Sequence, residues 1–390
     1  MTSPLETSLG QHGHPSTDAH ATRLRAEKYS GEIVYIYAFD VAYDMKREGV
    51  GQLLGQPVQQ VAIDASKRTP RQHLFYRPQM VHLPAVERTS PVGKVNVQRN
   101  IKLLPVGAIS ITVSVPFEGL SLTDLVAYHD LTFAEGSLHD EVRALAEQVS
   151  RELQNYTIRP NEKLADEEAY TVFCIHAPLE SSEGRHISCE QWLDEHRREV
   201  AALLTQEPDI DHLSEQEAAE STGRYLSYYD HDLVVVDWDA ALVLDQPGNI
   251  DETVYVMELA NLQLAELEAY DRILDEAVER SYRDLAPRTL RNKSGVLNQL
   301  GEIRIDLARL SDELSNITKF FGDWHLARVY QALSSRFHLA DWHKSIDEKL
   351  KTLDDLYQLL KQNQNNRWML ILELTIVFLF VVDVIWLIFK

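Results

Sequence analysis

A long apolar stretch near the C-terminus is the strongest pattern in the chain. From Trp368 to Phe389 it reads WMLILELTIVFLFVVDVIWLIF, 22 residues with apolar side chains on nearly every helical face. A helix of this length spans roughly 33 Å, close to the hydrocarbon thickness of a bilayer. Trp368 and Trp386 suit the two membrane interfaces. A buried core helix is the alternative, but core helices are rarely apolar all round. The stretch therefore predicts a transmembrane anchor over 367–390.

Two acidic residues interrupt this stretch, Glu373 and Asp383. Glu373 lies about one turn inside the entrance and can reach the headgroups. An ionised carboxylate costs about 2.5–3.5 kcal/mol at mid-membrane. Three interpretations of Asp383 stay open: a protonated or locally hydrated acid, a contact with another helix, and a role in ion conduction.

The position of the anchor predicts its topology. Only Lys390 follows the apolar stretch, so we expect a tail-anchored protein whose larger part stays on the cytoplasmic or matrix side. Lys361 and Arg367, just before the anchor, agree with the positive-inside tendency. The N-terminus lacks an apolar signal or a clear presequence, which favours a bacterial inner membrane, with the mitochondrial inner membrane as the alternative.

Residues 248–366 predict a helical stalk or bundle that continues into the anchor. The first helix runs from Gly248 to about Leu285, where Ala286-Pro287 ends it. A third helical stretch covers Trp324–Leu339, and a fourth begins at Asp341. No proline separates the fourth helix from the apolar stretch, so the two are expected to form one helix.

The second helix, about Arg288 to Phe321, carries the clearest packing seam. Its apolar residues alternate steps of three and four, which is typical of coiled coils and antiparallel bundles. We expect this seam, with two positions of the fourth helix, to pack within the subunit or between subunits; the residues are Leu300, Ile303, Leu307, Leu310, Leu314, Ile317, Leu353 and Leu360.

The N-terminal part alternates strand-like and helix-like segments. Predicted strands are rich in β-branched and aromatic residues: Ile33–Phe39, Ile109–Val115, Tyr170–Ile175, Leu233–Val236 and, more weakly, Leu74–Leu83. Predicted helices are Leu138–Tyr156, Cys189–Leu204 and the shorter Asp209–Ser221. Gln52–Arg71 and Arg88–Lys102 look like loops or linkers. The pattern predicts an α+β sheet domain with helices on one face over 31–247, after a flexible polar tail over 1–30.

Composition narrows the range of functions. A net charge of -22 with no compensating run of Lys or Arg disfavours nucleic-acid binding. The cysteines, Cys174 and Cys189, are isolated, which fits a reducing compartment better than a disulfide. We find no phosphate-binding glycine loop, nucleophile elbow or zinc spacing, so no catalytic, metal-binding or cofactor-binding residue is predicted and the chain is not expected to be an enzyme.

Two polar clusters have competing interpretations. The run Tyr228-Tyr229-Asp230-His231-Asp232 precedes a strand and suits either a turn or a binding site, and a turn is the simpler interpretation. Glu258, Glu266 and Glu268 in the first stalk helix can gather negative charge at one place. A solvated helix face is the favoured interpretation of these three glutamates.

The C-terminal third resembles the "required for meiotic nuclear division" family, also called DUF155. The resemblance rests on short motifs in a shared order: Leu233-Val234-Val235-Val236-Asp237-Trp238, Leu264-Ala265-Glu266-Leu267-Glu268, Asp347-Glu348-Lys349-Leu350, Leu372-Glu373 and Asp383. It covers about Tyr225 to Lys390. Leu374 stands where the family usually has a tryptophan, and Glu373 and Asp383 stand where the family has membrane acids.

This resemblance implies a membrane-anchored protein without known catalytic activity. The eukaryotic members of the family are organellar or endomembrane proteins, and some support mitochondrial translation. The resemblance supplies neither a ligand nor a reaction.

Two functions follow as hypotheses. The first is a membrane-anchored scaffold that forms a homo-oligomer and presents its α+β domain to an unknown protein partner at the cytoplasmic face. The second is a subunit of an oligomeric ion channel or transporter with Asp383 lining the pore, by analogy of layout with divalent-cation channels. Such channels have two spans and a Gly-Met-Asn signature, and this sequence contains neither.

Overall fold

A nine-stranded sheet organises the part of the chain that the computed structural model describes, residues 27–46, 49–60, 79–161, 163–177, 188–285, 305 and 324–389. The strands are β1 (Tyr29–Asp40), β2 (Ala42–Met45), β3 (Gln52–Leu53), β4 (Gln56–Pro57), β5 (Gln59–Gln60), β6 (Gln79–Ser90), β7 (Gly93–Leu103), β8 (Ala108–Leu120), β9 (Thr132–Phe133), β10 (Gly136–Ser137), β11 (Thr157–Pro160), β12 (Glu168–His176), β13 (Tyr225–Leu226), β14 (Leu233–Val236) and β15 (Ala240–Asp245). The helices are α1 (Leu122–Val126), α2 (Leu138–Leu153), α3 (Cys189–Leu204), α4 (Glu215–Ser221), α5 (Pro247–Leu285), α6 (Trp324–Arg336) and α7 (Leu339–Ile388).

The strand order of the large sheet is β13-β14-β15-β12-β1-β8-β7-β6-β5. Neighbouring strands pair antiparallel except β12 and β15, which run parallel. The central strand β1 is buried on both faces: Ile33 and Tyr35 belong to one apolar core, whereas Val34 and Ile36 belong to another. Successive side chains of a strand point to opposite faces, so a run of consecutive apolar residues marks a strand covered on both sides.

Helices cover both faces of the sheet, so the expectation of helices on one face is wrong. Helices α2 and α3 contribute to the first core, through residues such as Val149 and Trp192. Helices α5, α6 and α7 contribute to the second, through residues such as Met257, Leu333 and Ile346. The mixed α+β class with a large sheet is confirmed.

Most of the predicted elements that lie in the described residues are present. The four stronger predicted strands lie in β1, β8, β12 and β14, and the two longer predicted helices match α2 and α3. The helix predicted from Asp209 is only partly right, because a 3₁₀ turn at Ile210–His212 precedes α4. Of the weak strand Leu74–Leu83, residues 79–83 lie in β6 and residues 74–78 lie outside the described part.

The prediction of a loop over Arg88–Lys102 is wrong. This segment forms the end of β6, a tight turn and most of β7, which pair as a hairpin. In β7, Val95 and Val97 are buried while Asn96 and Gln98 between them are exposed. The alternation is that of a strand with one polar face. The segment Gln52–Arg71, also predicted as a loop, contains three two-residue strands up to Gln60, and residues 61–71 lie outside the described part.

The predicted stalk is confirmed only in its coarser features. Helix α5 is a single helix of 39 residues, but much of it packs on the sheet at β1, β12 and β15. The predicted seam of the second helix, Leu300, Ile303, Leu307, Leu310, Leu314 and Ile317, lies outside the described residues, so a coiled-coil stalk is not confirmed. The four-part domain division, 1–30, 31–247, 248–366 and 367–390, stays a prediction.

Helix α7 is continuous over 50 residues and includes the whole apolar stretch. The continuity predicted between the fourth helix and the anchor is therefore confirmed. Helix α6 ends at Arg336, and His338 between the two helices has a left-handed backbone with φ of 50°. This residue turns the chain from α6 into α7.

Candidate functional site: the anchor helix and its attachment to the sheet domain

The first half of α7 is built into the core of the sheet domain. Leu339, Ile346 and Leu353 recur at seven-residue spacing and are 1%, 3% and 2% exposed. They share a core with Leu274 and Ala277 of α5. Leu353, a predicted seam residue, therefore packs within the subunit. Leu360, the other seam residue on α7, has a side chain outside the described part.

An ion-pair cluster adds a polar contact between α5 and α7. The Lys349 Nζ atom lies 2.7 Å from Asp271 Oδ1 and 2.6 Å from Asp275 Oδ1. Partial burial acts to lower the pKa of Lys349, but the hydrogen bonds and charges of the two aspartates outweigh it and the pKa is raised. The lysine is therefore charged at neutral pH, and it holds α7 against two successive turns of α5.

A partly buried hydrogen-bond network joins α5, α6 and α7 at one place. The Tyr330 hydroxyl of α6 donates to Gln263 Oε1 of α5, and Gln263 Nε2 lies 3.4 Å from His343 Nε2 of α7. Burial lowers the pKa of His343, against a smaller opposing effect of Asp347. The imidazole is therefore neutral at pH 7, and its Nε2 can accept the hydrogen bond from the Gln263 amide.

The corner between α6 and α7 is fixed to the end of β14. Arg336 is 6% exposed and donates to the backbone carbonyl of Glu220 at 2.7 Å, and it also lies 3.5 Å from the Asp237 carboxylate. Burial raises the pKa of Asp237 although Arg336 opposes this effect. Trp238 stacks on His338 with ring centroids 5.0 Å apart. These contacts set the position from which α7 leaves the domain.

Helices α5 and α7 run side by side in the same direction. Gln263 meets His343, and further along both helices Asp271 and Asp275 meet Lys349. The contacts therefore advance toward the C-termini of both helices together.

The second half of α7 is an exposed apolar segment. In the described part of the chain, one helix segment, Trp368–Ile388, is long and apolar enough to cross a membrane. Its mean hydropathy is 2.6 and none of that window is buried within the protein. A core helix of the same composition would be mostly buried. Trp368 and Trp386 lie near its two ends and are 64% and 67% exposed.

The two acids of the apolar segment lie at similar distances from its two ends but on different helix faces. Glu373 is five residues from the first residue of the segment, and Asp383 is five residues from its last. Each is therefore roughly 8 Å along the helix axis from the nearer end. At about 100° per residue, ten residues place the two carboxylates about 80° apart around the helix. They do not form one narrow acidic stripe.

Several carboxylates lie where α5 passes the start of β12 and the end of β1. Burial, followed by a hydrogen bond with Glu268 of α5, raises the pKa of Glu168 in β12 to about 8, although Arg272 opposes the shift. Burial also raises the pKa of Asp40, at the end of β1, to about 6. The carboxyl of Glu168 is therefore mostly protonated at neutral pH and hydrogen-bonded to Glu268. Among the described residues, no group of three or more His, Cys, Asp or Glu is arranged to hold a metal ion.

Two of the three α5 glutamates assigned to a solvated face are buried, so that interpretation is wrong for them. Glu258 is 3% exposed and Glu266 is 4% exposed, whereas Glu268 is partly buried in the carboxylate group. Glu258 faces the sheet, where it pairs with Lys102 of β7.

The cluster from Tyr228 to Asp232 forms the expected turn. The carboxylate of Asp232 accepts hydrogen bonds from the backbone N–H groups of Tyr228 at 2.6 Å and Tyr229 at 3.0 Å. Both tyrosines are nearly 60% exposed at the end of the sheet from which α5 begins. Cys174 and Cys189 are buried free thiols, and burial raises the pKa of both.

Comparisons with known proteins match the N-terminal and central part of the chain. A family profile described as "Uncharacterized protein MJ0711, N-terminal domain" matches residues 30–251. A similar protein, uncharacterized protein MJ0711 of Methanocaldococcus jannaschii, is 25% identical over 222 residues, which cover 56% of this chain and 65% of the relative. The matched region thus spans less than two thirds of that relative. No solved structure matches the chain significantly.

The matched region differs from the region of the resemblance proposed from sequence motifs. That resemblance covered about Tyr225 to Lys390, and the profile match ends at residue 251. The expectation of a family of unknown function is confirmed, but the family shown covers the sheet domain and not the C-terminal helices. The profile match gives the C-terminal motifs no support.

Proposed function

We propose that this chain, which belongs to the family of the MJ0711 N-terminal domain, is a non-enzymatic membrane-anchored scaffold that holds its α+β domain at a set distance and orientation from the cytoplasmic face. One observation carries the proposal. Helix α7 is uninterrupted from the domain core to the end of the apolar segment. A single helix therefore belongs to both the folded domain and the span.

Because α7 is continuous, it connects the domain to the membrane through a rigid helix and not through a flexible linker. We call this arrangement a rigid mount. Glycine-rich linkers behave as random coils and leave the attached domain free to reorient. In α7, the last described core residue is Leu356 at 7% exposure, and the apolar segment begins at Trp368. Twelve residues of helix span roughly 18 Å. The domain is thus connected to the membrane by a short helical segment with no proline or glycine.

The direction of α7 also orients the sheet. Helices α5 and α7 run toward the membrane together, past the strand ends that carry Glu168 and Asp40. The opposite ends of these strands lie next to the turn with the exposed Tyr228 and Tyr229 and then face away from the membrane. We call the surface formed by this turn the distal edge. This distal edge is the surface that we propose for a protein partner, because the bilayer does not cover it.

Further parts of the proposal concern the span and its surroundings. We propose that Trp368 and Trp386 lie at the two interfaces and that Glu373 and Asp383 contact helices of other copies in a homo-oligomer. The acidic domain lies on the cytoplasmic side of a bacterial inner membrane, with the mitochondrial inner membrane as the alternative. The C-terminal motifs shared with the meiotic nuclear division family motivate the view that the anchor is part of the function.

Transport is the second candidate, as an oligomeric channel or transporter subunit with Asp383 lining the pore. A pore built from several spans needs its acidic groups on the face that lines the pore. Glu373 and Asp383 lie about 80° apart around the helix and about 15 Å apart along it. A narrow pore face centred on Asp383 therefore does not include Glu373, so this candidate depends on Asp383 alone.

The location is tested by fractionation of the full-length protein. We expect it to sediment with membranes and to resist extraction by alkaline carbonate. Recovery in the soluble fraction after membranes are pelleted would remove the proposal.

The rigid mount is tested by distance measurement in lipid nanodiscs. A fluorophore attached at Ser227→Cys, near the distal edge, reports energy transfer to acceptor lipids. We expect a narrow distance distribution that broadens when a Gly-Ser hexapeptide is inserted after Gln362. A helical hexapeptide of alanine and lysine at the same site is the matched control and shifts the distance without broadening it. An equally broad distribution in the original protein and the Gly-Ser variant would contradict the rigid mount.

A further inference from the structure

Two acidic side chains of the apolar segment Trp368–Ile388 have no counter-charge within that segment. Glu373 and Asp383 are both exposed, and none of the segment is buried within the protein. The segment contains no Lys, Arg or His. An acid and a base on one helix pair when they are three or four residues apart. The nearest bases in the sequence, Arg367 and Lys390, are six and seven residues from these acids. The counter-charge must therefore come from outside the segment.

A second copy of the same segment does not supply this counter-charge. Ionised side chains in the hydrocarbon region are costly, and in membrane proteins they almost always face the interior of a helix bundle and pair there with one another or with backbone carbonyls. In a parallel pair of copies, each acid lies opposite its own counterpart. Like charges at close range disfavour each other. Contacts between copies alone therefore leave Glu373 and Asp383 without an opposite charge.

The spacing of the two acids is that of one packing seam. Left-handed packing, the commonest arrangement of helices in membrane bundles, uses residues separated alternately by three and four positions. Glu373, Ile376, Phe380 and Asp383 follow this rule with steps of three, four and three, and all four side chains are exposed. The acids are about 80° apart around a straight helix, and in such a packing they lie on the two sides of the seam, one at each end of an apolar centre.

We propose, on the premise of the membrane-anchored scaffold, that this seam binds the transmembrane helix of a second protein that carries Lys or Arg at the levels of both acids. Ile376 and Phe380 pack against the apolar middle of the partner helix. The two bases of the partner are about 15 Å apart along its axis, at the levels of Glu373 and Asp383. A charged side chain makes each span costly to insert alone, and the pairing relieves this cost in both.

Binding of designed peptides to the full-length protein in nanodiscs of neutral phosphatidylcholine tests the proposal. The probe is a fluorescent leucine-alanine helix of about 25 residues with two arginines ten positions apart. Glu373 and Asp383 are each five residues from an end of the segment, so the probe can meet both acids in either orientation. The reference peptide has glutamine at both positions. We expect the arginine peptide to bind about tenfold more tightly than the glutamine peptide.

Two controls locate the contact. In the double variant E373Q/D383N, we expect the preference for the arginine peptide to fall below about twofold. A peptide with its arginines only five positions apart meets one acid at a time, so it should bind the unaltered protein less tightly than the probe.

Each of three results would overturn the proposal: equal binding of the arginine and glutamine peptides, a preference that persists in the double variant, and equal binding of the two arginine spacings. The proposed scaffold function fails by a different result. A full-length protein that does not sediment with membranes has no anchor, whereas a membrane-bound protein without a preference for arginine contradicts the basic partner helix alone.

Discussion

Truncating Leu353 to alanine tests whether helix α7 is part of the domain core. The side chain is 2% exposed and lies in the core shared by α5 and α7. Leu→Ala removes three carbon atoms, and at about 0.8 kcal/mol per buried carbon the lost transfer free energy is about 2.4 kcal/mol. The cavity left behind adds to this loss, so the expected destabilisation is about 2.5–4 kcal/mol. That loss lowers the folded-to-unfolded ratio by roughly 70-fold to 1,000-fold.

The assay is denaturant unfolding of the full-length protein in detergent, followed by the fluorescence of its tryptophans. Leu359→Ala is the matched control, because Leu359 lies in the same helix and is 52% exposed. We expect the control to change the free energy of unfolding by about 0.5 kcal/mol or less. Equal midpoints for the two variants would refute the reasoning, because they would show that α7 does not pack on α5 at Leu353.

Three further predictions concern charged groups. Glu168 has a raised pKa in the fold, so the folded state binds its proton more tightly than the unfolded chain does. The stability that this proton contributes is present at low pH and is lost as pH rises through about 8. We expect the midpoint of urea unfolding to decrease between pH 6.5 and pH 8 and this slope to flatten in Glu268→Gln; an unchanged slope would show that Glu268 does not raise the pKa of Glu168. Lys349→Met leaves two aspartates of α5 without their cation, so the melting temperature should fall at low salt and the difference should shrink at high salt, whereas the neighbouring Lys351→Met should have little effect. For Asp383→Asn, we expect ion flux into liposomes to equal the background level of the unaltered protein, and flux that depends on Asp383 would favour the transport function instead.

The elements that sequence patterns predicted are those whose environment is uniform along their length. The apolar segment Trp368–Ile388 packs against no other part of the described chain, so its apolar composition is nearly uniform along its length. Helix α3 was located with the right bounds because Ser188 caps its N-terminus and its apolar residues recur at helical spacing. Strand β14 is buried on both faces and is a continuous run of apolar residues.

The elements that sequence patterns missed lie at polar surfaces inside the fold. The β6–β7 hairpin presents a polar face, which made Arg88–Lys102 resemble a loop. Helix α5 covers part of that polar sheet region, so its buried Glu258 looked like a solvated residue. A charge buried against a partner more than 150 positions away leaves no local pattern. The contacts of Lys349 and Arg336 were missed for the same reason, because a salt bridge between distant segments does not alter the periodicity of either one.

In the proposed scaffold, the segment of α7 between the domain core and the apolar segment decides how rigidly the domain is held. Residues 361–367 read KQNQNNR, and asparagine is a poor helix former. An isolated helix shorter than about 12–15 residues is marginal in water, chiefly because its nucleation is unfavourable. Here nucleation is not required, since packing against α5 fixes the helix before this segment and the apolar span favours a helix after it. The segment can therefore remain helical through its two ends, and a partner that bends the domain relative to the membrane would act on these residues first.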